Sequence, residues 1–192
     1  MFGKNSVNLS YGGSGSGGFD ASGNKTLYDS LHAAGFSTNP VLENFYKDDS
    51  RSGAKRAANS SDLDSGGNQK ISTAEPPQNS YTDDIKNSYS EYSDAAIVVI
   101  TRIGGEGFDL PRYQGDTAGA ANPDDHYLQL DKNETDLLKA VCAGNFKRVI
   151  VIFNIPSSFE ATFLTDPDYA AFANDIDAAV WTGFTGAQGI MA

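Results

Sequence analysis

The chain is 192 residues long and carries 25 acidic against 14 basic side chains, a formal net charge of -11. That excess offers no electrostatic grip on a phosphate backbone, and no Lys/Arg cluster offsets it locally, so nucleic-acid binding is disfavoured. The length suits one domain of about 100–200 residues; 39% hydrophobic residues suffice for a core, and 20 Gly with only 7 Pro is neither collagen-like nor wholly disordered.

The longest apolar runs, Ala95–Ile100 and Val149–Phe153, fall far short of the roughly 20 residues that cross a bilayer, so no membrane span is expected. The single cysteine, Cys142, cannot form an internal disulfide and reads as a buried structural thiol on a helix, which leaves the compartment open. The opening MFGKNSVNLSYGG lacks the apolar stretch of a secretory signal.

In chain order, Met1–Tyr11 shows little regular pattern, and Tyr11–Gly18 (YGGSGSGG) is nearly all Gly and Ser, as only a turn or a loop approached closely by backbone favours. Asn24 then caps a predicted helix at about 25–34, with Leu27, Leu31 and Ala34 on one face and Gly35 to stop it. A short second helix is expected at Pro40–Tyr46, bringing Val41, Leu42, Phe45 and Tyr46 together. Residues 47–80 carry almost no large apolar side chains and read as a solvated polar excursion with one exposed helical turn at most.

A polar helix at about 82–91 leads into a continuous apolar strand, Ala95–Thr101. A helix at about 133–144 precedes a second such strand, Arg148–Asn154. Runs without polar alternation mark strands buried on both faces, as in parallel sheets covered by helices. A helical or irregular piece at 166–175 precedes a weaker third strand, Ala178–Trp181. The fold class is therefore α/β: one domain over 1–192, a mostly parallel sheet flanked by helices. Met1-Phe2-Gly3 reads as the tail of a strand and FTGAQGIMA as the opening turn of another helix, so both ends are expected to be cut.

Ligands of open parallel sheets gather beyond the carboxyl ends of the strands, which directs attention to three loops. After Thr101, RIGGEGFDLPRYQGD sets Glu106 between Gly105 and Gly107, with Arg102, Asp109 and Arg112 nearby, a cluster that could tune a proton donor. The alternative is a solvated carboxylate in a glycine turn. Gly13-Ser14-Gly15-Ser16-Gly17-Gly18 satisfies G-x-G-x-x-G, yet a preceding buried strand and a ribose-binding acid are wanting; a flexible surface loop and a loop lining a neutral-ligand site stay open beside dinucleotide binding. After β-type residues 148–154, Asn154, Ser157 and Glu160 offer polar groups, but no nucleophile elbow surrounds Ser157, and His32 and His126 are too isolated for a triad or, with Cys142, a metal site.

The order YGGSGSGG, TLYDSLHAAGFSTNPVLENFY, YSDAAIVVITRIGGEGFD, LDKNETDLLKAV, RVIVIFN and AAVWTGFTGAQG resembles the C-terminal α/β domain of glycoside hydrolase family 3 β-glucosidases over nearly the whole chain, most specifically in AIVVITRIGGEGFD. The resemblance implies a retaining glycosidase of carbohydrate metabolism acting on a β-glucoside or short β-linked oligosaccharide. A TIM-type barrel, absent from this sequence, would carry the nucleophilic aspartate, and Glu106 would be the general acid/base. It also implies Ser16, or Ser14, as a donor to a sugar hydroxyl, with Arg102 and Phe108 as further substrate contacts, and no cofactor or metal. Leu110-Pro111 separate Asp109 from Arg112 where many members continue as Gly-x-Asp-Arg, so no role is carried over to Arg112; IPSSFE stands where relatives more often carry a glycine-containing loop, which alters that wall of the site, and the roles of Asp109 and Arg112 stay open. The fragment alone is expected to be inactive or nearly so. The rival reading is a non-catalytic sugar- or protein-binding α/β module, because fold alone does not fix function.

Overall fold

Two apolar runs form the centre of a parallel sheet, because only pairing with each other and cover on both faces removes them from water. In the computed structural model, which describes residues 1–13, 15–18, 20–55, 73–104, 106, 110–114 and 122–186, these are β1 (Ala96–Thr101) and β2 (Val149–Asn154). They pair in parallel from Ala96 opposite Val149 to Thr101 opposite Asn154. A third strand, β3 (Ala178–Trp181), pairs in parallel with β2 from Ile150 opposite Ala178 to Phe153 opposite Trp181, giving the order β1-β2-β3. Beyond β1, Phe2 forms a parallel bridge to Val98, its N–H donating to the Ile97 carbonyl at 2.7 Å and its carbonyl accepting from Val99 N–H at 3.0 Å. The expected strand tail at the N-terminus is thus a single bridge on the sheet's far side.

The helices are α1 (Leu27–Ala33), α2 (Pro40–Lys47), α3 (Asp49–Ser52), α4 (Asp83–Asn87), α5 (Lys132–Cys142) and α6 (Ala170–Ala173). The crossover from β1 to β2 contains α5, and that from β2 to β3 contains α6. Leu42, Phe45 and Tyr46 of α2, Ile85 of α4 and Leu137, Leu138 and Val141 of α5 join Val98, Ile100, Val151 and Phe153 in one core. No helix among the described residues is long and apolar enough to cross a membrane. Cys142, half-buried against this core, has its thiol pushed up to about 11, chiefly by burial.

Several elements differ from expectation for identifiable reasons. The cap of α1 is Thr26, not Asn24: its hydroxyl accepts from Asp29 N–H while Asp29 accepts from Thr26 N–H, a capping box. That helix buries Tyr28, whereas Leu27 and Leu31 are half-buried and Ala34 is exposed. Gly35 does end it, at φ 89°. In α2 the N-cap Asn39 accepts from Val41 and Leu42 N–H, and Val41 turns outward. The polar helix at 82–91 divides into α4 and a tighter 3-10 stretch, Ser88–Tyr92. All four residues of β3 are exposed because it is an edge, with Val180 46% and Trp181 47% accessible.

The polar excursion over 47–80 is exposed at its start apart from Ser52, as expected, but is buried at 73–76; 56–72 lie outside the described residues. At its start, Ser52 is buried and accepts a 2.6 Å hydrogen bond from the Lys4 ammonium, which also donates to the Tyr46 carbonyl and to Asp49, each at 2.8 Å. At its end, Thr73, Ala74 and Glu75 are buried. Glu75 accepts from Lys4 N–H at 2.9 Å and from the Tyr81 hydroxyl at 2.5 Å, and Tyr81 in turn meets the Tyr46 hydroxyl at 2.7 Å. Burial pushes the Glu75 carboxyl up to about 8, with the charges of Glu134 and Asp131 adding to it against the hydrogen bonds. These polar residues are sequestered because each is hydrogen-bonded, which composition alone does not reveal.

Candidate functional site

Three chain segments converge beyond the carboxyl ends of β1 and β2: the loop after β1, the N-terminal glycine loop and the loop after β3. Where β1 ends, Arg102 is the largest fully buried side chain and is 0% exposed. Its guanidinium forms a fork with Glu134 of α5, both N–O distances 2.7 Å, and donates to the carbonyls of Thr101 at 3.0 Å, Tyr127 at 2.9 Å and Gln129 at 2.7 Å. Its face lies 5.3 Å from the Tyr127 ring centre and 5.2 Å from that of Phe159. All five N–H donors are thereby committed. The expectation that Arg102 contacts substrate is corrected on this ground: it is closed off from solvent and holds the chain as it leaves β1.

Glu134 serves two purposes at once. As the third residue of α5 it accepts from the N–H of the N-cap Asp131, whose own carboxylate accepts from Glu134 N–H at 2.8 Å. Asp131 also accepts a short hydrogen bond from the Thr73 hydroxyl, and burial, followed by the Glu134 charge, pushes its carboxyl up to about 7. The ion pair therefore anchors the root of the acidic loop to the start of a helix.

Four residues beyond that anchor, Glu106 is exposed to solvent and lies under the glycine loop. Its Oε2 accepts from both the backbone N–H and the hydroxyl of Ser16, each at 3.0 Å. These two hydrogen bonds hold the Glu106 carboxyl below its ordinary value, since they stabilise the charged form. Gly15 makes the approach possible: its φ is 58°, and a Cβ there would sit 2.3 Å from Glu106 Oε2. Internal bonds from Gly13 N–H to the Gly17 carbonyl and from Gly18 N–H to the Gly15 carbonyl shape the loop.

The structure thus brings together Glu106 and Ser16. Ser14, Phe108 and Asp109 lie outside the described residues. Arg112 lies 5.2 Å from the Tyr113 ring centre. Ser157 donates to the Ser158 carbonyl at 3.2 Å, while His126 pairs with Glu160 at 2.7 Å and His32 with Thr38 at 2.7 Å, so the described contacts assemble no serine triad. No group of three His, Cys, Asp or Glu among the described residues could hold a metal ion. Two residues that matter here were not assigned these places from sequence: Glu134, whose signal was a charged Arg102 at the end of an apolar strand that requires a partner, and Asn154, read only as a loop polar group. Asn154 is 0% exposed, and its amide engages Ser10, Thr101 and Gly183.

No known family profile matches the chain, and no curated protein matches it. Among solved structures it is similar to β-glucosidase 3B from Thermotoga neapolitana, determined in complex with glucose, at 23% identity and a TM-score of 0.65. It is also similar to a β-glucosidase from Paenibacillus barengoltzii at 22% identity and a TM-score of 0.69. Each match covers 99% of this chain, which spans 23% and 18% of the two proteins' lengths. At such identities the likeness is one of fold, and it agrees with the α/β domain resemblance carried by the sequence motifs.

Proposed function

We propose that the chain is the acid/base-bearing α/β domain of a retaining β-glucosidase of the family 3 type, hydrolysing terminal non-reducing β-D-glucosyl residues. The observation that carries this reading is the seating of Ser16 on Glu106, a carboxylate and a hydroxyl side by side at the mouth of the sheet. The fold shared with two β-glucosidases supports it.

Retention requires two carboxyl groups about 5–5.5 Å apart. In this proposal an aspartate on a barrel domain attacks the anomeric carbon as Glu106 passes its proton to the departing oxygen, and the glycosidic C–O bond breaks. Glu106, now a carboxylate, then takes a proton from water, whose oxygen attacks the same carbon and releases the aspartate. When a sugar binds, the Ser16 hydroxyl turns from Glu106 to donate to a sugar hydroxyl, Ser14 being the alternative donor, and Phe108 is a further substrate contact in this proposal. The lowered Glu106 suits the second step as it stands. For the first, the charge of the nucleophile and the exclusion of water by the partner domain raise it.

The test is hydrolysis of an aryl β-glucoside by the purified chain, alone and with a separately expressed family 3 barrel domain, in wild-type and Glu106→Gln forms. The proposal expects turnover only with the barrel and its loss in Glu106→Gln. Turnover by the chain alone that depends on Glu106 would place the nucleophile within this chain, and turnover indifferent to Glu106 would remove its role.

A further inference from the structure

We infer that Asn154 is a positioning residue that sets the glycine loop on Glu106. Its catalytic meaning rests on the acid/base reading above, but its geometry does not.

The side-chain amide of Asn154 pairs with the backbone of Ser10 as a neighbouring strand would: Oδ1 accepts from Ser10 N–H at 2.6 Å, and Nδ2 donates to the Ser10 carbonyl at 2.9 Å. The second Nδ2 hydrogen goes to the Gly183 carbonyl at 2.6 Å, and Oδ1 also meets the Thr101 hydroxyl at 3.5 Å. An amide has two donors and one oxygen with two lone pairs, so this residue is fully used. Its partners are the three segments that build the mouth of the site. Ser10 opens the glycine loop, Thr101 is the last residue of β1 before the acidic loop, and Gly183 begins the loop after β3.

Two further contacts carry the constraint outward. Gly186 N–H donates to the Tyr11 carbonyl at 2.8 Å, and Gly13 lies so close to Phe184 that a Cβ on it would be 3.1 Å from that ring. The glycine loop therefore runs along the loop after β3, and Asn154 holds both at their roots. Ser16 lies six residues from Ser10, and most of the chain between them is glycine, serine or a residue on this rail. Aspartate in place of Asn154 loses the two donors, and leucine loses every polar contact while approximating the volume.

The experiment follows the Glu106 carboxyl by carbon-detected NMR titration in the whole chain, in wild type, Ser16→Ala, Asn154→Asp, Asn154→Leu and Ser16→Ala/Asn154→Leu. Ser16→Ala is expected to raise the Glu106 midpoint toward its ordinary value of 4.5. Asn154→Leu, which releases the backbone N–H of Ser16 as well as its hydroxyl, is expected to raise it further, and the double variant should match Asn154→Leu. A structural role for Asn154 unconnected with the loop would lower thermal stability and leave that midpoint in place, which overturns the inference; so does a midpoint unmoved by Ser16→Ala. Wild-type native-state hydrogen exchange covers the case of variants that do not fold. The amides of Ser10 and Ser16 should open together, with equal free energies and denaturant slopes, and independent opening refutes the coupling. None of these readouts needs turnover, so failure of the β-glucosidase reading and failure of this one are separate results.

Discussion

Replacing Arg102 with methionine removes the guanidinium while retaining most of its volume, and what is left behind sets the cost. Glu134, itself buried, keeps the Asp131 N–H but loses its cation and both fork hydrogen bonds. The carbonyls of Thr101, Tyr127 and Gln129 lose a donor each, although Gln129 retains a 3.4 Å contact from Gln114. Removing one partner of a buried pair costs about 3–5 kcal/mol. With a urea dependence of about 2 kcal/mol per molar, the unfolding midpoint should fall by about 1.5–2.5 M. The single tryptophan, Trp181, reports the transition by fluorescence. Adding Glu134→Gln removes the stranded charge and keeps an acceptor for the Asp131 cap, so the double variant should recover about half of the loss. A surface arginine reaching toward substrate would shift stability by no more than about 0.5 kcal/mol. A cost below about 1 kcal/mol, or a double variant as unstable as the single, refutes the account of Arg102 as an internal anchor.

Other consequences can be measured on the same chain. Gly15→Ala places a Cβ against Glu106 at a left-handed φ, so it should cost about 1–2 kcal/mol and lift the Glu106 titration midpoint toward 4.5; an unchanged midpoint contradicts the loop contact. Glu75 and Asp131 are raised from 4.5 to about 8 and from 3.8 to about 7, so the folded chain binds protons that the unfolded chain has released. Their contribution is whole below the unfolded values and is lost as pH rises through the folded ones. Between pH 5 and 8 the wild type should therefore lose up to about 1.4 kcal/mol per pH unit relative to Glu75→Gln, and a constant difference in urea midpoints across that range is the contrary result. Cys142, raised from 9.0 to about 11, should alkylate about 100-fold more slowly in the native chain than in urea at pH 8; equal rates would mean the thiol is not held in the core.

The elements that were legible from sequence share one property: their signal is local. Helix α5 differs by a residue or two from its predicted bounds, and β3 matches them. The T-x-x-D cap of α1 was equally local and was passed over in favour of Asn24. Glu106 drew attention because glycines flank it beyond an apolar strand, whereas Ser16 was singled out by the family resemblance and not by the serine-glycine run alone. Arg102 misled for a physical reason. A charged residue next to a candidate acid reads as part of the site until its partner is known, and Glu134 lies 32 residues away.

By itself, then, the sequence determined the α/β class and both apolar strands, since apolar periodicity and turn chemistry act over a few residues; for Glu106 its spacing offered a proton donor or a solvated carboxylate, and only the family resemblance implied an acid/base. Tertiary structure alone decided which polar groups face water. Lys4, Glu75, Arg102 and Asn154 have the composition of surface residues, yet each is buried because partners distant along the chain satisfy it: 71 positions separate Lys4 from Glu75, and 144 separate Ser10 from Asn154. Hydrogen bonds at such separations leave no period or spacing to read; only the folded backbone brings their two ends within 3 Å.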